Sequence, residues 1–221
     1  MQVSKKNKPR LVLVTPALAS ANNGNWQTAW RWTRMLAGDY EVQMATDWNG
    51  QPADAMVALH ARRSATSIAA WAERCPGQPL VVALTGTDLY RDILVDAAAQ
   101  RSLALAQRLI VLHELAPQDL PFEHRAKCVV CFQSTGARKP LAKSNTLLRA
   151  LMVGHLREEK SPRTYFEAAL KLRAREDIFL DHIGAPLDEA LGREAQALMA
   201  EQHNYRWLGA LPRAQARQHI R

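Results

Sequence analysis

The sequence predicts an α/β protein built on parallel sheets, and three observations lead there. Short runs rich in Val, Ile and Leu are apolar at consecutive positions, as in strands buried on both faces. Between them lie stretches of helical periodicity, which parallel neighbours need as crossovers. A polar stretch with Gly and Pro then interrupts the chain, and the same alternation resumes beyond it.

The first strand is Arg10 to Thr15, followed by a small, polar loop, Ala17 to Asn25. A helix starts near Trp26, and the spacing of Trp26, Trp30, Thr33 and Ala37 places the tryptophans on its core-facing side, although a ligand-stacking platform fits the same residues. Gly38 ends it. Strands follow at Tyr40 to Ala45 and Ala55 to Leu59, a helix at Ala65 to Arg74 and a strand at Leu80 to Leu84. A long helix, Leu89 to Ala106, leads to strands at Leu109 to Leu112 and Lys127 to Phe132. Residues 1–135 thus read as one Rossmann-like unit and 136–146 as a linker. From 147 to 221 the pattern runs strand Leu147 to Val153, helix Pro162 to Arg173, strand Ile178 to Ile183, helix Asp188 to Gln202, strand Tyr205 to Leu208 and a helix from Arg213. That is the first part of a second Rossmann-like unit.

Composition narrows the function. The 221 residues are 48% hydrophobic and 23% charged, the balance of a globular chain. No apolar run approaches the roughly 18 residues of a bilayer crossing. Lys5, Lys6 and Lys8 precede only the short run Leu11 to Val14, so no secretory leader is read and a cytoplasmic protein without a membrane partner is expected. The net charge of +8 divides unevenly: +4 falls on residues 1–10, while residues 11–135 carry 10 bases against 11 acids and residues 136–221 carry 15 against 10. No basic stripe is interleaved with aromatics, so nucleic acid is not the expected partner, whereas a basic second half suits a nucleotide. Cys75, Cys128 and Cys131 are expected to be reduced, with Cys128 and Cys131 buried in a strand. Cys128 and Cys131 lie three apart in a β run and so point to opposite faces, and no second ligand pair accompanies them, so neither metal nor cofactor is expected.

Ligands of open parallel sheets collect beyond the carboxyl ends of the strands. After the first strand, Asn22-Asn23-Gly24-Asn25 offers a close backbone approach and helix N-terminal amides, or simply a turn. His60-Ala-Arg62-Arg63-Ser64 suits a phosphate-like group and a proton handler, or a solvated turn capped by Ser64. Thr85-Gly86-Thr87-Asp88 brings two hydroxyls and a carboxylate to a strand end, unless Asp88 is a helix cap. In the second unit Val153-Gly154-His155-Leu156-Arg157-Glu158-Glu159-Lys160-Ser161-Pro162 runs from strand through glycine into a helix, with two cations placed for a diphosphate in an interdomain cleft.

The string GHLREEKSP resembles the first donor-binding loop of the family 4 glycosyltransferases of GT-B fold, G-R-L-x-x-x-K-G/S, and VALHARRS resembles that family's H-A-H strand end. Together with GNWQTAWRW, PLVVALTGTDLYRDI, DAAAQRSLALAQRLIVL and YRWLGALPRAQAR, the chain resembles the selenosugar synthases of selenoneine biosynthesis. The resemblance implies transfer of selenophosphate to the anomeric carbon of a UDP-sugar, UDP-N-acetylglucosamine or UDP-glucose, giving a 1-selenosugar and UDP. It further implies an acceptor side of Asn23, Gly24, Asn25, Arg62, Arg63 and Thr85, catalytic roles for His60 and Asp88, and a donor diphosphate held by Gly154, His155, Arg157 and Lys160.

His155 stands where family 4 has arginine, and Thr85 where it has the histidine of H-G-x-D. Trp26 stands where the selenosugar synthases commonly show arginine. The family's E-x7-E region is expected beyond Arg221, so the 221-residue chain is expected to be inactive by itself. Two other readings stay open: a family 4 enzyme with a carbohydrate acceptor, and a non-enzymatic Rossmann-like binding module.

Overall fold

In the computed structural model, which describes residues 8–18, 24–137, 139–140 and 142–220, the chain divides into two compact units, residues 1–135 and 136–221. The first begins with β1 (Arg10–Val14), α1 (Gly24–Leu36), β2 (Glu41–Ala45), β3 (Ala55–Leu59), α2 (Ala65–Arg74) and β4 (Leu80–Ala83). A π-helical turn (Asp88–Asp92), α3 (Ile93–Val95), α4 (Ala97–Leu105), β5 (Arg108–Val111), a 3₁₀ turn (Ala116–Asp119), α5 (Phe122–Arg125) and β6 (Cys128–Val130) complete it. All six strands are parallel, in the order β2-β1-β3-β4-β5-β6.

Alternation along β1 explains why both faces are covered. Val12 and Val14 join a core with Ile68 and Trp71 of α2 and Leu103 of α4, while Leu13 points the other way to Ala29 of α1. Trp71 is wholly buried, edge-on to Trp48 with ring centroids 5.0 Å apart. Truncating a buried tryptophan costs about 3–5 kcal/mol, which makes this pair a main support of that layer.

Three expectations for this unit need correction. On α1 the sheet takes Ala29 and Trp32, whereas Trp30 is 36% exposed under the Arg34 guanidinium, 4.9 Å from its ring centre. A helix lying close on a sheet places a small residue at the contact, so bulk alone did not mark the inner face. The expected long helix is broken, because Asp96 is extended (φ −111°, ψ 115°) and caps α4 by accepting from Ala99 N at 2.9 Å. Cys128 and Cys131 are half-buried rather than buried, and burial pushes the Cys128 thiol up.

The second unit contains β7 (Leu148–Val153), a 3₁₀ turn (Glu158–Lys160), α6 (Pro162–Lys171), β8 (Ile178–Ile183), α7 (Glu189–Glu201), β9 (Tyr205–Trp207) and α8 (Arg213–His219). Its strands are parallel in the order β7-β8-β9. Phe166 and Ala169 of α6 and Leu191, Ala195 and Leu198 of α7 pack with Leu180 and Tyr205 of the sheet. Asp181, buried in the middle strand, accepts from Arg149 of β7 at 3.2 Å and from Arg206 of β9 at 3.0 Å, tying all three strands together. No described helix is long and apolar enough to cross a membrane.

Between β8 and α7 the chain passes so close to the end of β7 that a Cβ on Gly184 would land on the Gly154 carbonyl. Gly184→Ala should therefore destabilise the second unit by about 3 kcal/mol. Hydrogen exchange of β7 and β8 amides checks this, with the first unit's amides as internal control.

Candidate functional site

The strand order makes β1 and β3 the point where the first sheet changes direction, so the crevice beyond their carboxyl ends is the place where such a sheet binds ligands. β3 ends at Leu59, and His60 N donates to Ala83 O at 2.8 Å. His60 then turns the chain with φ 73°, a left-handed conformation uncommon for a residue with a side chain. Several bonds hold it there. Ser64 N donates to His60 O at 3.0 Å, Arg63 N to His60 Nδ1 at 3.3 Å, and Ser64 Oγ to Leu59 O at 2.6 Å. Ser64 therefore closes the turn instead of capping α2 with its side chain.

Asp88 is wholly buried and supplies the other half of this construction. Its Oδ1 accepts from Thr85 N and Gly86 N, both at 2.9 Å, and its Oδ2 accepts from Ala61 N at 3.0 Å. One carboxylate thus fastens the turn after β4 to the turn after β3. It acts as a positioning group, and the helix-cap alternative gives way to this longer-range role. Gly86, at φ 136°, provides the backbone shape the turn requires.

His60 is 2% exposed, with Nε2 3.1 Å from Thr87 Oγ1 and 3.9 Å from Asp92 Oδ2. Because Nδ1 accepts from Arg63 N, the neutral ring carries its proton on Nε2, aimed at Thr87. Burial pulls its pKa below the ordinary histidine value, outweighing the attraction of Asp88 and Asp92 and joined by repulsion from Arg63.

The other predicted acceptor residues divide. Arg62 binds Asp96 at 2.9 Å and lies 3.8 Å from Asp92, so its charge is already matched. Arg63 is exposed and makes no ion pair among the described residues. Thr85 is half-buried, and Gly24 and Asn25 form the first turn of α1, while Asn23 lies outside the described residues.

In the second unit the predicted donor residues follow one another around a tight loop. Gly154 N donates to Ile183 O and Leu156 N to Ala185 O, both at 2.9 Å, and Leu156 is wholly buried. His155 Nδ1 accepts from Ala185 N at 3.0 Å, so this histidine ties the loop to the turn after β8. Lys160 lays its stem over Gly154 and makes no ion pair among the described residues. Arg157 leans toward Glu159, 4.0 Å away, and its Nε is shut off from solvent without a hydrogen-bond partner. Ser161, in the left-handed region at φ 47°, delivers the chain into α6, whose first turn has no side-chain cap.

Two histidines escaped the sequence reading. His182, on β8, is wholly buried, with Nε2 3.1 Å from Gly154 O and Nδ1 3.1 Å from Tyr205 Oη. Gly154 O can only accept, so Nε2 carries the proton and Nδ1 accepts from Tyr205. Tyr165 and Phe166 stand around the ring, with centroids 5.9 and 6.3 Å away. Burial pulls the His182 pKa down against the opposing bond to Gly154, and pushes the Tyr165 phenol up to about 12. A histidine at an inward-facing strand position was the available signal. The other is His113, considered below.

No family model matches the sequence, and no curated protein matches it significantly. Among solved structures the chain is similar to a mutant of S. aureus TarM crystallised with fondaparinux, alpha-GlcNAc-glycerol and UDP. The TM-score is 0.52 at 9% identity, covering 71% of this chain and 33% of that one. The chain spans about a third of that protein's length. The likeness is one of architecture: this chain has the α/β fold of GT-B type, with Rossmann-like units on parallel sheets.

The lowered pKa values of His60 and His182 mean that the unfolded chain binds more protons than the folded one as pH falls below about 6.5. Stability should be level above about pH 7 and fall between pH 7 and 5.5. Urea unfolding at the two pH values should show a smaller loss for the double variant His60→Asn, His182→Gln. An identical loss would remove the histidines from the acid response.

Proposed function

We propose that the chain is a glycosyltransferase that draws its sugar from a UDP-sugar, with the second unit serving the donor and the first the acceptor. The observation that carries this reading is the Gly154–Ser161 loop. It combines a glycine at a strand end, an ammonium at Lys160 without an ion-pair partner among the described residues, and a start of α6 that has no side-chain cap. Such a combination suits a diphosphate. The fold likeness to a protein crystallised with UDP supports the reading.

The resemblance of the sequence to selenosugar synthases supports selenophosphate as acceptor and UDP-N-acetylglucosamine or UDP-glucose as donor. In that reaction a selenium lone pair attacks the anomeric carbon, the C–Se bond forms, and the C–O bond to UDP breaks with its electron pair passing to the β-phosphate oxygen. Lys160, Arg157 and the positive end of the α6 dipole neutralise the growing charge. Selenophosphate is already nucleophilic and needs placement more than deprotonation, which agrees with a sealed, neutral His60. Arg63 and the first turn of α1 hold the anion, while His60 and Asp88 shape the turn that presents Arg63.

Lys160→Ala should weaken UDP binding about tenfold to hundredfold, the worth of a charge-assisted contact. Calorimetry with UDP checks this, and normal binding would sink the donor assignment. Arg63→Ala should weaken selenophosphate binding and leave UDP affinity unchanged. Because Arg62 is matched by Asp96, Arg62→Ala should act mainly on stability, a contrast that calorimetry and urea unfolding measure together.

A further inference from the structure

The carboxyl edge of the first sheet carries another pair of side chains that this mechanism leaves unused. Tyr90 lies on the π-helical turn after β4, and His113 lies just past the end of β5. Tyr90 Oη is 2.6 Å from His113 Nε2, and the two rings are 12° from parallel with centroids 6.5 Å apart. The phenol oxygen and the imidazole nitrogen each lie in the plane of their own ring. A bond this short between nearly parallel rings therefore sets them end to end, as a flat slab two rings long. Tyr90 is 53% exposed and His113 half-buried. Leu94 and Leu115, on elements packed beside the turn, are also exposed. Apolar surface of this kind next to a ligand-binding sheet edge points to use.

The support beneath is firm. Tyr90 N donates to Gly86 O at 3.0 Å, within the turn that Asp88 fastens, and Ala116 N donates to His113 O at 3.3 Å. Burial and the nearby Asp119 carboxylate hold the Tyr90 phenol above its ordinary pKa, so the hydroxyl stays protonated. Asp119 also makes the spot unwelcoming to a second anion.

We propose that Tyr90 and His113 form a binding shelf for the pyranose ring of a neutral sugar. A pyranose presents a face of C–H groups to an aromatic slab and a rim of hydroxyls that both donate and accept. The phenol–imidazole pair answers both kinds, because either partner can be the donor in the bond they share, according to the imidazole tautomer. The ring belongs either to the sugar of the nucleotide donor or to a sugar acceptor, and its chemistry is the same in both. The inference rests on the UDP-sugar reading above and names residues that meet the sugar within it.

The test is an NMR titration of the 221-residue chain, following the ring signals of Tyr90 and His113 and the amides of Gly154–Ser161. The probes are methyl β-glucopyranoside, methyl N-acetyl-β-glucosaminide, UDP-N-acetylglucosamine, UDP and inorganic phosphate. The glycosides should shift both ring signals saturably at about millimolar concentration. Tyr90→Leu should weaken that binding at least tenfold, and Tyr90→Phe, which keeps the ring but loses the bond, should weaken it about threefold. Both substitutions fall on an exposed side chain, so the fold should survive them. Tighter binding of UDP-N-acetylglucosamine than of the free glycoside at these signals assigns the shelf to the donor sugar, and equal or weaker binding assigns it to an acceptor. Ring signals that ignore the glycosides, or that respond equally to UDP or phosphate, overturn the proposal. If glycosides bind while UDP leaves the Gly154–Ser161 amides unmoved, the shelf stands and the donor assignment falls.

Discussion

The carboxylate of Asp88 accepts three main-chain N–H groups from two different strand ends, and the geometry of the turns after β3 and β4 depends on it. Strand carboxyl ends leave amides without sheet partners, and buried amides without partners cost about 1–3 kcal/mol each. Here one buried anion satisfies three of them. The same bonds hold the turn in which His60 adopts its left-handed conformation and the turn that carries Tyr90. A strained histidine, an exposed arginine and an aromatic slab thus share one anchor. An amide side chain at residue 88 would accept at one end only and present a donor at the other, so both carboxylate oxygens are part of the architecture.

The second unit solves a similar problem without a charge. In the loop after β7 the Gly154 carbonyl is fixed from behind by the His182 Nε2–H. Tyr205 fixes the histidine, and the absence of a side chain on Gly184 lets the two turns close on each other. A neutral imidazole among aromatic rings holds a carbonyl without adding a cation where Lys160 and Arg157 already supply positive charge. The cost is sensitivity to acid, since protonation would put a charge among Tyr165, Phe166 and Tyr205.

Much of this fold was legible because parallel strands buried on both faces read as unbroken apolar runs. Leu-Val-Leu-Val at β1 and Leu-Val-Val-Ala at β4 needed no further information. The break at Asp96 was hidden, since Asp92 and Asp96 fit an exposed helix face as well as they fit their actual partners, Arg62 and His60. Those partners lie about 30 residues away, beyond the reach of local periodicity. The inner face of α1 misled for a different reason: close packing against β1 selects Ala29, and Trp30 finds its partner in Arg34 on the outside. In the site, motif spacing located Gly154 and Lys160, but whether an arginine stays open or is matched by a carboxylate depends on tertiary neighbours.

The division between Arg62 and Arg63 bears directly on substrate choice. Two adjacent arginines suggest a site for a doubly charged anion, yet Asp96 and Asp92 draw Arg62 away, leaving one cation on that turn. A single exposed guanidinium with a helix N-terminus suits a small anion held by few contacts, such as selenophosphate. The Tyr90–His113 slab, set beside Asp119, favours a neutral ring instead. Cation and slab lie on the same carboxyl edge, on segments that follow β3, β4 and β5. On the proposed reading, one sheet edge offers separate places for an anion and for a sugar ring, as a reaction joining the two would require.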